Sequence, residues 1–185
     1  MKRATINGGA FNKIIEATKA FQSKNNRHAM YKFIRLEFHS ELDEVRAIAV
    51  DGHRLSVEHA VAQSEEDFTV YVHGNVKLPK NSVVEIELVE KEVILRCDGY
   101  VFGYRQPDTD EGYLDWKNVI PDKEPAFRIG FNGDYLLSAL QAAKASVGGT
   151  YKTPVVLEFY SPLEPVVIRT NKHDIKLVLP VRLKD

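Results

Sequence analysis

Apolar and polar residues along this chain fall into three successive segments, and two of them share one pattern. The first, residues 4–62, opens on the short strand-like stretch Ala4-Thr5-Ile6. Asn7 or Gly8 then offers an N-cap. Phe11, Ile14, Ile15, Thr18 and Phe21 recur at helical spacing, with Lys13, Glu16, Gln22 and Ser23 between and after them. That spacing predicts an amphipathic helix, which the polar run 23–27 stops. Three strands are predicted next. Residues 31–39 alternate, with Tyr31, Phe33, Arg35, Glu37 and His39 on one face and Ile34, Leu36 and Phe38 on the other. Residues 45–50 and 55–61 follow, split by the turn-like Asp51-Gly52.

The third segment, residues 126–183, repeats this order. Residues 127–131 predict a strand and Asn132 an N-cap. Tyr135, Leu136, Ala139, Leu140 and Ala143 predict an amphipathic helix ended by Gly148-Gly149. Strands are predicted at 155–160, 165–169 and 175–181. The first of these carries Leu157-Glu158-Phe159-Tyr160-Ser161, which matches Leu36-Glu37-Phe38-His39-Ser40 at the same place in the first segment. The two segments therefore read as an internal repeat. The middle segment, 67–106, has strand signals only, at 68–72, 83–89, 93–97 and 100–104. Turns are signalled at Pro79-Lys80-Asn81 and Asp98-Gly99. The polar stretch 107–121 reads as a connector. Two helices and about eleven short strands predict an α+β fold of antiparallel sheets, built from repeated strand–helix–three-strand units.

Composition narrows the function classes. The chain has 185 residues, of which 44% are hydrophobic and 28% charged, enough for packed cores. It has no apolar run of about 18 residues, so no membrane-spanning helix is expected. The charged start Met1-Lys2-Arg3 leads into Asn7-Gly8-Gly9 without an apolar stretch, unlike a secretory signal. A single cysteine, Cys97, suits a reducing, cytoplasmic setting. The net charge of −1 excludes binding nucleic acid through bulk charge and leaves only a local basic face. Enzyme signals are weak. Asp51 and His53 sit close in sequence, but no Ser or Cys nucleophile motif accompanies them. The six histidines lack metal-ligand spacing, and no Gly-rich loop is followed by Lys-Ser/Thr. No enzyme activity, cofactor or metal is expected.

Four motifs in order resemble the bacterial DNA polymerase III beta subunit family, the sliding clamps. Val50-Asp51-Gly52-His53-Arg54-Leu55 resembles a loop of that family. The stretch 112–121, Gly-Tyr-Leu-Asp-Trp-Lys-Asn-Val-Ile-Pro, resembles its connector between middle and last domains. Ile129-Gly130-Phe131-Asn132 with Tyr135-Leu136-Leu137 resembles the strand and helix of the last domain's second half. Val178-Leu179-Pro180-Val181-Arg182-Leu183 resembles the C-terminal tail. The family's subunits have three domains and about twice this length. This chain resembles a middle domain (1–121) joined to a C-terminal half-domain (122–185). The middle segment lacks the helix expected between Val76-Lys77-Leu78-Pro79 and Val83. Either half-domains are completed across subunits, or the two helical units pair into one domain.

The resemblance implies a replication processivity factor that encircles or contacts double-stranded DNA and recruits polymerase through a peptide-binding pocket. The alternative is a peptide-binding module that never encircles DNA. The pocket residues it implies are Gly52, His53, Arg54 and Leu55 from the loop, and Leu114, Asn118 and Val119 from the connector. The tail would add Val178, Leu179, Pro180, Val181 and Arg182. A peptide groove needs apolar walls and a few polar anchors. Leu55, Val119, Leu179 and Val181 suit the walls, and Arg54 and Arg182 the anchors. Non-specific DNA contact is expected from Lys13, Lys19, Lys24 and Arg27 beside the first helix and from Lys144 and Lys152 beside the second. The implied partners are duplex DNA, replication proteins carrying short linear peptides, and further copies of the chain as a homo-oligomer.

Overall fold

Strand alternation and turn chemistry lay down two separate units in a computed structural model that describes residues 1–24, 29–108, 112–147 and 154–183. The units are Met1–Ile120 and Pro121–Asp185. In the first, β1 (Lys2–Asn7) leads into α1 (Gly8–Thr18). Asn7 caps the helix, its Oδ1 accepting from the amides of Gly9 at 2.9 Å and Ala10 at 3.1 Å. The Gly8 and Gly9 amides donate to the carbonyls of Ser82 and Lys80, both at 2.9 Å. A Cβ on Gly8 would lie 2.0 Å from the Pro79 carbonyl oxygen, so only glycine permits this approach. Phe11, Ile14, Ile15 and Thr18 form the buried face of α1. The helical pattern extends to Phe21, but the α-helix stops at Thr18. The Thr18 hydroxyl donates back to the Ile14 carbonyl at 2.7 Å, and Lys19–Phe21 tightens into a 3₁₀ turn.

β2 (Ile34–His39), β3 (Glu44–Val50) and β4 (Leu55–Ser64) follow. Ile34, Leu36 and Phe38 face the core, as the alternation predicts. The strand starts at Ile34, not at 31: Ala29–Lys32 is a 3₁₀ turn. It swings Tyr31 into edge contact with Tyr113, centroids 5.6 Å apart at 83°. The middle segment supplies β5 (Phe68–Val72), β6 (Val83–Val89), β7 (Glu92–Cys97) and β8 (Tyr100–Arg105), with no helix among them. The result is one eight-stranded antiparallel sheet, ordered β5-β2-β3-β4-β1-β6-β7-β8. The middle segment is the second half of this unit: β1 pairs with β6, and β2 pairs with β5. One core joins α1 to residues of both halves, including Val84, Ile86, Val93, Leu95 and the buried Cys97. Phe38 and Phe68 stack across the β2–β5 junction at 4.6 Å and 16°.

The second unit repeats the plan of the first half. β9 (Gly130–Phe131) precedes α2 (Gly133–Ser146), whose cap Asn132 accepts from the amides of Asp134 and Tyr135 at 3.0 and 3.2 Å. β10 (Val156–Glu158), β11 (Val166–Arg169) and β12 (Lys176–Val178) form a three-stranded antiparallel sheet. β13 (Pro180–Val181) pairs with β9. The strand predicted at 175–181 is thus two strands, because the chain changes partner at Leu179. The strands predicted at 127–131 and 155–160 shrink to two and three residues; among the described residues β9 and β10 each pair on one side only. The helix stop Gly148-Gly149 lies outside the described residues. The core is small, with Ala143, Val166, Ile168 and Val178 at its centre. Among the described residues no helix is long and apolar enough to cross a membrane.

Truncating Phe38 to alanine removes a fully buried ring and its stack on Phe68. Phe38→Ala is expected to destabilise the first unit by about 3–5 kcal/mol in urea unfolding followed by Trp116 fluorescence. The repeat-equivalent Phe159→Ala, in the second unit, should leave that transition within about 0.5 kcal/mol.

Candidate functional site

The loop between β3 and β4 is built around one carboxylate. Asp51 Oδ1 accepts from the amides of His53 at 3.0 Å and Arg54 at 2.9 Å. Its Oδ2 accepts from Arg54 Nε at 2.9 Å and Nη2 at 2.6 Å. Gly52 takes φ +90°, the left-handed region that favours glycine. The Arg54 hydrogen bonds, with help from the His53 amide, hold the Asp51 carboxyl below its ordinary pKa. Arg54 also donates to the Ala20 carbonyl at 3.0 Å and lies over the Phe21 ring at 5.2 Å. It braces the loop against the end of α1 while keeping more than half of its side chain exposed. His53 is exposed and Leu55 half-buried.

The connector is pinned by Tyr113. Its hydroxyl donates to the Ile48 carbonyl at 2.8 Å, and its ring packs with Tyr31 and Tyr71. Burial pushes its pKa up, so it stays a neutral donor. Leu55 and Leu114 both pack around this cluster, so the structure brings one loop residue and one connector residue together. Asn118 is committed to structure: its amide donates to Asp115 at 2.9 Å, the residue that caps the Trp116–Asn118 turn. Arg46 and Lys117 flank the Trp116 ring at 5.9 Å. Val119 and the neighbouring Ile120 are exposed.

In the second unit the tail and α2 form a groove of ≈ 680 Å³. Tyr135, Ser138, Ala139 and Ala142 make one wall, and residues 176–181 make the other. Val178 belongs to this wall but is only 5% exposed, most of its side chain lying in the core with Ala143 and Ile168. Strand alternation instead turns its neighbours outward: Leu177 is 61% exposed and Leu179 71%. Leu177 was not among the predicted residues, and the period of two was the signal that could have found it. Pro180 and Val181 pair with Phe131 and Gly130, and Arg182 is exposed. A Cβ on Gly130 would meet the Leu183 side chain at 2.6 Å and the Val181 carbonyl oxygen at 3.2 Å, so glycine lets the tail close on β9.

Of the predicted DNA-contacting residues, Lys13 lies exposed on α1 and Lys144 on the last turn of α2. Arg27 and Lys152 lie outside the described residues. Lys19 and Lys24 line a hollow of ≈ 530 Å³ just past α1, together with Lys32 and His73. Sequence reasoning missed Lys32 and His73. Lys32 reaches the hollow because Gln22 donates to its carbonyl, and His73 because β5 lies alongside β2. Lys19 is paired with Glu16. Among the described residues no group of three or more His, Cys, Asp or Glu side chains is placed to hold a metal ion.

No protein-family model matches the chain, and no curated protein sequence does. Solved structures do. The DNA polymerase sliding clamp from Bacillus subtilis is 18% identical at a TM-score of 0.81, over 96% of this chain and 49% of that one. The DNA polymerase III beta chain from Streptococcus pneumoniae TIGR4 is 19% identical at 0.82, over 98% and 50%. The DNA polymerase III beta subunit from Thermotoga maritima is 15% identical at 0.64, over 100% and 66%. The fold is therefore that of the sliding clamps, and the chain spans about half the length of the first two clamps it matches.

The loop carries a pH signature. A carboxyl with a depressed folded-state pKa contributes stability that is present above the unfolded value, about 4 for aspartate, and lost as pH falls through the folded one. Asp51→Asn should cost about 1 kcal/mol at pH 7, allowing for the exposure of Arg54. It should also flatten the loss of stability below about pH 4. Urea midpoints measured across that range check both.

Proposed function

We propose that this chain is a clamp-like factor of DNA replication that docks polymerase or other replication proteins through short linear peptides. It does no chemistry itself. The observation that carries this reading is the groove on the second unit. Outward-facing Leu177 and Leu179 offer apolar anchors beside Tyr135, in a fold shared with DNA polymerase clamps. An extended peptide would bury these side chains, and Arg182 at the rim would orient it. Val178 supports the groove from beneath. The loop residues Gly52, His53, Arg54 and Leu55 and the connector residues Leu114, Asn118 and Val119 offer a docking surface of their own on the first unit. In this reading residues 1–121 act as a clamp-like domain and 122–185 as a half-domain, in the cytoplasm and as a homo-oligomer.

Duplex DNA is contacted without sequence preference. Lys13, Lys19, Lys24 and Lys144 supply positive charge, and Lys32 joins them at the hollow past α1. A near-neutral chain suits sliding, since few phosphate contacts give weak binding with a shallow salt dependence. A second reading is favoured by one fact: the chain covers only about half of the clamps it matches. It is a docking module that binds the same peptides and never encircles DNA.

Peptides tiled across the polymerase of the same source test the groove by fluorescence anisotropy. Leu177→Ala with Leu179→Ala should weaken the bound peptide at least about ten-fold, as loss of two apolar anchors requires. Unchanged affinity would remove the groove from the docking role. The two readings separate on DNA: an encircling clamp stays on closed circles and runs off linear duplexes, whereas a module treats both alike. Replacing Lys19 and Lys24 by alanine should lower the slope of log affinity against log salt by about one unit per lysine.

A further inference from the structure

We propose that the second unit is completed by the second unit of another copy of this chain. In that pairing, β9 of each copy lies antiparallel to β10 of its partner. The idea goes beyond the docking role above and rests on the fold, not on the groove.

The first unit shows how such a half is closed. Its two halves meet at two junctions, β1 on β6 and β5 on β2. At each junction the first strand of one half lies antiparallel to the second strand of the other. Among the described residues the second unit shows one such half. Among the described residues β10 pairs with β11 alone and β9 with β13 alone, which leaves each an open edge. Free edges with apolar flanks are templates for pairing. A two-fold axis would bring β9 of each copy to β10 of the other and close both edges, as an isologous interface requires.

Burial marks the same surface. Leu36 and Phe38 are 0% and 1% exposed, because β5 and its Phe68 cover them. Their repeat equivalents Leu157 and Phe159 are 38% and 44% exposed. Within one chain Phe159 meets Phe127 only at 6.4 Å and a 58° tilt, unlike the Phe38–Phe68 stack.

Charge fixes the register. Aligning the caps Asn7 and Asn132 puts Arg128 in the place of Arg3. Aligning the Leu-Glu-Phe triplets puts Glu158 in the place of Glu37, and the matching pairings Ile6–Val84 and Val72–Ile34 put Glu87 there too. In the first unit Glu87 takes two arginines, Arg96 from β7 at 3.3 Å and Arg3 from β1 at 3.2 Å. Glu158 has the equivalent of the first, Arg169 at 3.1 Å. The equivalent of the second, Arg128, is exposed and makes no ion pair among the described residues. In the two-fold arrangement Arg128 falls opposite the partner's Glu158. Phe127 falls opposite the partner's Phe159, and Ile129 opposite the partner's Leu157.

Disulfide trapping in the full chain tests this reciprocity. Phe127→Cys and Phe159→Cys are made separately, each at an exposed position, and Cys97 stays buried. Oxidation of an equimolar mixture should give a linked dimer, and oxidation of either variant alone, or of the unsubstituted chain, should not. No dimer in the mixture, or equal dimer in a single variant, overturns the proposal. Sedimentation should show the mass rising with concentration from one chain to an even number of chains. A single-chain mass throughout overturns it too, and would assign the free edges to a different polypeptide. Arg128→Glu, which sets like charges opposite each other, should weaken self-association by about ten-fold. An unchanged dissociation constant overturns the register. Peptide binding in the groove is read separately, so failure of the dimer and failure of the docking role remain distinguishable.

Discussion

Strand β1 is hydrogen-bonded along both edges, to β4 on one side and β6 on the other, and the architecture of the first unit depends on that double pairing. A helix laid over a short sheet buries one face but leaves unpaired backbone groups at its margins. Six consecutive residues of β1 pair with β6, from Lys2 with Leu88 to Asn7 with Val83. This closure carries the β6–β7–β8 meander into the same sheet and lets α1 share one core with it. It also places Gly8 against the 79–82 loop, where a side chain would clash. Without a counterpart of this closure among its described residues, the second unit has a two-residue β9, a three-residue β10 and a core of four buried side chains there.

The candidate surfaces grow from the same scaffold. Asp51 and Arg54 shape the loop beside the end of α1, and Tyr113 ties the connector to β3 through the Ile48 carbonyl. Leu55 and Leu114 each pack against the aromatic cluster beneath. On the second unit the switch of partner at Leu179 leaves that side chain outside both pairings, which gives the groove its most exposed apolar wall. The polar residues the motifs single out thus divide by role. Asn118 and much of Arg54 are committed to holding their own loops, and Arg182 is exposed next to the groove residue Val181.

Much of this was legible beforehand, because it rests on local chemistry. Both helix caps, the buried faces of α1 and β2, the turn at Asp51-Gly52 and the helix-free middle segment follow from spacing and side-chain type. The repeat was visible in a five-residue stretch with four identities. The errors came where a neighbour overrode the local pattern. Tyr31 left its strand for Tyr113, eighty-two positions away in the chain (113 less 31). Leu177 is the more exposed groove residue and Val178 the more buried, because the core lies on one side of β12. Lys32 and His73 joined Lys19 and Lys24 through pairings that no linear motif records.

The sequence by itself determined the elements, their order, the repeat and the apolar faces, since these are set by periods of two and 3.6 residues and by the residues that start and stop them. Tertiary structure alone decided which strand edge meets which. Hydrogen bonding between strands is blind to side-chain identity, so only the assembled core selects β6 and β5 as the partners of β1 and β2. The same reason left the second unit's edges invisible in the sequence. Leu157 and Phe159 read as core there, like Leu36 and Phe38, and only the fold shows that one pair is covered and the other open.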